Sequence, residues 1–217
     1  MLTEPDVALT DYGLALECGA FAILLWRRRS DAPQIRPWFA GLFASLGLAA
    51  LLGGTVHGFF ADPSSVGQRI LWPATLIAIG AAALAAWVLG ARMLLAPPTA
   101  QHFALTAVIA FGGYIIVVLL FADSFLIAIV NYAAAAFFLL LAFIVSHGRT
   151  FDRARLAGIA GLFLVFVGSA IQQLGLGIHP AYFNHNALYH LIMGVALFLV
   201  FASAWRLAAP IVNSRRS

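Results

Sequence analysis

Residues 103–121, FALTAVIAFGGYIIVVLLF, are followed by the short turn Ala122-Asp123-Ser124 and then by residues 125–145, FLIAIVNYAAAAFFLLLAFIV. These are apolar runs of 19 and 21 residues, and a helix needs about 20 residues to cross a hydrocarbon layer about 30 Å thick. Neither run alternates between polar and apolar positions, as a membrane strand of about ten residues would. Both are rich in Ala and Leu, which helices accept well. Within a bilayer a helix satisfies every backbone group inside its own segment. The stretch therefore reads as two transmembrane helices joined by a tight turn. Asn131, inside the second, reads as a packing hydrogen-bonder rather than a substrate contact.

The same pattern extends in both directions. Apolar runs at 8–26, 38–60, 70–95, 103–121, 125–145, 156–176 and 186–208 predict an all-α bundle of seven transmembrane helices in one domain, 1–217. Pro97-Pro98 closes the third run. Composition agrees: 63% of the residues are hydrophobic and only 9% charged, against about 25% charged in a typical soluble domain.

The first run is preceded by Glu4, Asp6 and Asp11 and followed by Arg27-Arg28-Arg29. A cleaved signal peptide has the opposite order, so the run reads as a retained span with its N-terminus outside. Counting loops from there places Arg27, Arg28, Arg29, Arg36, Arg92, Arg149, Arg153, Arg155, Arg206, Arg215 and Arg216 inside and only Arg69 outside. This is the positive-inside bias, with the C-terminus cytoplasmic. The expected location is the bacterial inner membrane. The basic pI of about 9.8 is thus a topology signal, and nothing suggests a nucleic-acid partner. Lysine is absent, which excludes a retinal Schiff base. Cys18 reads as a small buried hydrophobe.

Polar side chains cost free energy inside a membrane, so their placement is informative. They gather at the predicted outer ends of the spans. Asp11 and Glu17 begin span 1, and His57 ends span 2 with Asp62 after it. Asp123 lies between spans 4 and 5, Gln172 and Gln173 near the end of span 6, and His179, Asn184, His185, Asn186 and His190 around the start of span 7. His57 and His190 each lie about one turn from an outer end, so their imidazoles are expected at similar depth. Gly54 and Gly58, four apart, allow another helix to approach closely. Asp11 suits either the headgroup region or a site. Glu17 lies deeper and requires a partner such as His57, Arg69 or a bound cation. Gln172 and Gln173 read as interhelical hydrogen-bonders, and Trp38, Trp72, Trp205 and Tyr182 as interfacial anchors.

Neutral imidazoles at matched depth suit zinc, which in catalytic sites takes three protein ligands and a water. His57, His190 and His185 are the candidate ligands, with Asp123, Asp62 and His179 in reserve. Asp123, Asp62 or Glu17 is the candidate general base for water activated by the metal.

Seven spans with a His at the end of span 2 and another near the start of span 7 resemble the superfamily of alkaline ceramidases, progestin/adipoQ receptors and Per1-like proteins. The outside N-terminus is similar to the ceramidase branch. The resemblance implies a zinc held by one His from span 2 and a His-x-x-x-His pair from span 7, a Ser four residues before the first His, and hydrolysis of a lipid amide. His57 falls on the first ligand position, His190 on the last and Asn186, flanked by His185, on the middle one. The Ser position falls on Gly53. The leading expectation is a zinc-dependent hydrolase of a lipid amide or ester, with membrane lipids as partners. The alternative is a non-catalytic binding, sensing or transport protein with a polar cavity but no tetrahedral ligand set.

Overall fold

The structure is a computed structural model and describes residues 2–29, 32, 34–121, 125–179 and 182–209. Among these it forms seven helices: α1 Pro5–Arg27, α2 Arg36–Phe59, α3 Val66–Leu94, α4 Pro97–Leu120, α5 Phe125–Thr150, α6 Arg153–Gln173 and α7 His185–Leu207. No strand occurs among the described residues; one isolated bridge joins His179 and Phe183 in the α6–α7 connection. Each helix is long and apolar enough to cross a membrane. The chain is a multi-pass integral membrane protein.

Local chemistry sets the helix ends. Ser65 accepts a hydrogen bond from Gln68 N and caps α3. Asp152 does the same for α6 through Ala154 N, and Asn184 caps α7 by accepting from Asn186 N and Ala187 N. Each cap satisfies amides that a helix start leaves without a partner. Pro97 and Pro98 open α4 rather than merely closing α3, so α4 begins six residues before the apolar run at Phe103. A proline in the first turn loses nothing, because its missing N–H has no partner there. Phe151 takes φ 51° in the two-residue link between α5 and α6.

Packing gives a ring. α1 lies against α2, α2 against α3, α3 against α5, α5 against α6, α6 against α7, and α7 closes on α1. α4 packs on α3 outside the ring, with only Ala100, Tyr114 and Val118 buried. The main core accordingly draws its buried residues from every helix except α4, including Cys18, Phe43, Leu89, Phe143, Val165 and Leu197. Phe21 stacks on Phe201 at 4.1 Å and meets Phe43 edge-on at 5.4 Å, fastening α1, α2 and α7 together.

The crossing of α1 on α2 uses glycines. Along α2, Gly47, Gly54 and Gly58 face α1. A Cβ at Gly54 would lie 2.8 Å from Asp11 Cβ, and one at Gly58 3.3 Å from Ala8 Cβ. The Gly54/Gly58 spacing is thus a seam that seats α1, and it brings the first turns of α1 to the His57 end of α2.

At the opposite end Arg28, Arg36 and Arg92 lie against aromatic rings or carbonyls. The Arg28 guanidinium sits 3.6 Å from the Trp205 ring centre, and that of Arg92 5.9 Å from Trp38. Arg36 Nη1 donates to the carbonyls of Arg28 and Trp26. Trp38 and Trp205 thus stand where interfacial anchors are expected. Arg215 and Arg216 lie outside the described residues.

Candidate functional site

The ends of six helices meet around a cavity of about 430 Å³. Its apolar wall includes Leu14, Leu46, Ala50, Ile79, Met193 and Leu197. Its polar residues are Asp11, His57, Gln172, His185, Asn186 and His190, with Thr75, Gln173 and Tyr189. The sequence placed most of these residues at one end; the fold brings them around one space.

The innermost pair is Asp11 and His190. His190 Nε2 lies 3.3 Å from Asp11 Oδ1, with the side chains 11% and 7% exposed. Thr10 donates its hydroxyl to the carbonyl of Asp6 at 2.8 Å. Its oxygen is then free to accept from His190 Nδ1, 3.1 Å away. That leaves Nε2 and the carboxylate sharing a proton, since two bare acceptors repel. An isolated buried carboxylate is costly, and this partnership offsets the cost.

The second pair lies nearer the opening. His57 Nδ1 is 2.7 Å from Glu4 Oε2, and the side chains are 28% and 42% exposed. The chain before α1 is held here by its backbone: Thr3 N donates to Gly58 O and Glu4 N to His57 O. These bonds satisfy carbonyls at the end of α2 that have no partner within the helix. Asn184 N donates to Asp6 Oδ2, tying α7 to α1, and Gln172 Nε2 donates to Asn186 Oδ1, tying α6 to α7. Gln172 is therefore the interhelical hydrogen-bonder expected from the sequence.

The candidate metal ligands share the cavity without converging. His57, His185 and His190 all line it. His190 uses both ring nitrogens on Thr10 and Asp11, and His57 uses Nδ1 on Glu4. Among the described residues no three His, Cys, Asp or Glu side chains form a group that could hold a metal ion. In this arrangement the residues do not fit the three-donor set of a zinc site. His179 lies in the α6–α7 connection, away from the cavity, where its Nδ1 accepts from Tyr182 N.

The candidate bases are placed elsewhere. Asp62 is exposed in the α2–α3 turn, where Ser64 N and Ser64 Oγ both donate to its Oδ1. Those bonds hold its carboxyl below the usual aspartate range. Glu17 does not line the cavity and makes no ion pair among the described residues; it faces Gly194 on α7, where a Cβ would lie 3.1 Å from its Oε2. Among the described residues, neither His57, Arg69 nor another charged side chain forms an ion pair with it. Asp123 lies outside the described residues.

The carboxylate the fold delivers to the cavity is Asp11, which the sequence left open to a headgroup position. Glu4 and Thr10, the partners of His57 and His190, were not singled out as a site, because nothing in a nearly uniform apolar run shows which way α1 is rotated. Trp72, expected as an interfacial anchor, lines the cavity and packs on Phe125 at 5.6 Å. Gly53, at the position where the resemblance expects Ser, also lines it. A Cβ there would stand 3.7 Å from Asp11 Oδ2 and from Thr75 Cγ2, so glycine leaves the chamber open beside the carboxyl.

No curated protein and no solved structure matches the chain. The model of a family described as a family of unknown function, DUF6962, matches residues 7–209, from the first turn of α1 to just past α7, and the chain belongs to that family.

Proposed function

We propose that this protein is an intramembrane binding protein for a small amphipathic molecule drawn from the bilayer. The observation that carries the reading is the cavity itself. At about 430 Å³ it falls within the usual range of small-molecule sites, about 300–1,000 Å³. Apolar walls lead to a cluster of hydrogen-bonding groups at one end, which suits a ligand with an apolar body and one polar head. Asp11, Asn186 and the His57 Nε2 can accept from that head, and Gln172 can donate to it. Fixed pairs of this kind orient a ligand; they do not gather three donors on one ion. The arginine bias supports an orientation with this chamber toward the outside and the C-terminus in the cytoplasm, in a bacterial inner membrane.

Trp72 in the wall supplies the test. With the protein in phosphatidylcholine nanodiscs, a twelve-carbon primary amide should change Trp72 fluorescence saturably. The change should vanish in Trp72→Phe, and binding should be lost in Ala50→Phe, which fills the chamber. An unsaturable response, or unchanged binding by a folded Ala50→Phe, would overturn the proposal.

A zinc-dependent lipid hydrolase is the second reading, favoured by one observation: His57, His185, His190 and Asp11 line the same cavity. It requires His57 and His190 to leave their present partners. Stoichiometric zinc in the purified protein, lost from a His57→Ala, His190→Ala double variant, would select it.

A further inference from the structure

A second space lies between α3, α4 and α5, and nothing in the chamber's proposed role involves it. It is a groove of about 250 Å³, lined by Trp87 of α3, Phe103, Ala107, Ala110 and Phe111 of α4, and Asn131 of α5. Asn131 is the seventh residue of α5, about 9 Å along the axis from Phe125 at 1.5 Å per residue. Apolar residues flank it on both sides, so its amide stands within the hydrocarbon span. The interhelical hydrogen bond expected of it does not form: no partner for its side chain is found among the described residues. A primary amide without a partner in hydrocarbon is costly, so the groove calls for a hydrogen-bonding group from outside the chain.

The surroundings narrow the chemistry of that group. No charged side chain lines the groove, so a charged headgroup has no counter-ion there. Thr106 also lines it, but its hydroxyl donates to His102 O at 3.1 Å, which leaves the Asn131 amide as the available donor. An occupant with an acceptor oxygen meets the Nδ2 donor of that amide. The walls are aromatic: Phe103 stacks on Phe138 at 5.5 Å, and Trp87 lies 5.0 Å from Phe138 and 6.0 Å from Phe103. Such faces favour a flat ring in offset contact. α4 lies outside the ring of helices with most of its surface facing lipid, so a molecule dissolved in the bilayer can reach the groove.

We infer that this groove binds a neutral, membrane-soluble quinone, its ring against Trp87 and Phe103 and one ring carbonyl accepting from the Asn131 amide. The inference rests on Asn131 and the aromatic wall, and it stands or falls independently of the chamber between the other helices. A second copy of the chain could also bring a hydrogen bond to Asn131, but a concave slot is filled better by a planar ring than by a helix surface.

The test titrates decylubiquinone into the protein in phosphatidylcholine nanodiscs and follows tryptophan fluorescence, which a quinone quenches on contact. Wild type should show saturable quenching. Trp87→Phe should remove most of the signal. Asn131→Leu, similar in size but unable to donate, should weaken affinity about tenfold, the loss expected for one hydrogen bond in a site of low polarity. Asn131→Gln should recover part of it, and Ala110→Phe should abolish binding. Helical circular dichroism and thermal unfolding show which variants fold; Asn131→Leu keeps the test decisive if Ala110→Phe does not. Unsaturable quenching, equal affinity in folded Asn131→Leu, or a loss of dimer in Asn131→Leu with quenching unchanged would each overturn the assignment.

Discussion

A carboxylate in the first turns of a membrane helix can turn back to the headgroups or inward to a partner, and Asp11 turns inward. Spacing along the chain led to the expectation of His57 and His190 at one depth; both line the cavity, with His190 the more buried of the two. Spacing was not enough to find Glu4, Thr10 and Asp11 as their partners, because that depends on the rotation of α1 about its own axis. In a membrane helix the face toward lipid and the face toward the core are both apolar, so hydrophobic periodicity carries little of that information. The glycines were more legible, since close approach needs a small residue wherever it occurs. They also give a sharp stability contrast. A Cβ at Gly161 would lie 2.5 Å from Ala196 O and 2.9 Å from Val200 Cγ2, forcing α6 away from α7. Gly161→Ala should cost about 1–3 kcal/mol. Gly13 has open space around its Cβ position, so Gly13→Ala should be neutral or stabilise by about 0.5–1 kcal/mol through helix propensity. Denaturant unfolding of both variants in one detergent checks the pair, and equal effects would refute the packing.

At the scale of elements, all seven helices were legible from run length and charge, and their capping ends were less so. Pro97-Pro98 read as a terminator because proline stops a helix that reaches it; at the start of the next helix the same residues are well placed. The peripheral place of α4 was not legible. Its sequence is as apolar as that of its neighbours, and only the packing shows that lipid covers most of it. The start of α7 is the element on which the chamber depends most. Asn184 caps it, and the helix then presents His185, Asn186 and His190 to the cavity. Asn184→Ala should cost about 1 kcal/mol of stability. It should also weaken amphiphile binding, because the first turn that positions Asn186 loosens. Thermal unfolding together with the Trp72 titration measures both; a destabilised variant with full affinity would remove the cap from the account of the site.

At the scale of the molecule, six helices enclose a chamber whose polar end is tied by hydrogen bonds among α1, α2, α6 and α7, while arginines border the other end. That asymmetry was readable in the sequence as a gathering of His, Asp, Asn and Gln; that the gathering would surround a space rather than fill it was not. The proposed orientation has a direct consequence. In a Cys18→Ala background, Ser64→Cys should react with a membrane-impermeant maleimide on intact cells, and Arg29→Cys should react only after permeabilisation. The reverse pattern would invert the topology. The central claim is that the chamber holds a small amphipathic molecule. Native mass spectrometry of the protein released from detergent tests it most directly. The account predicts a non-covalent organic adduct on the wild-type protein that is absent from folded Ala50→Phe and reduced in His190→Leu. A wild-type protein carrying only a zinc ion, or an adduct retained in full by Ala50→Phe, would contradict it.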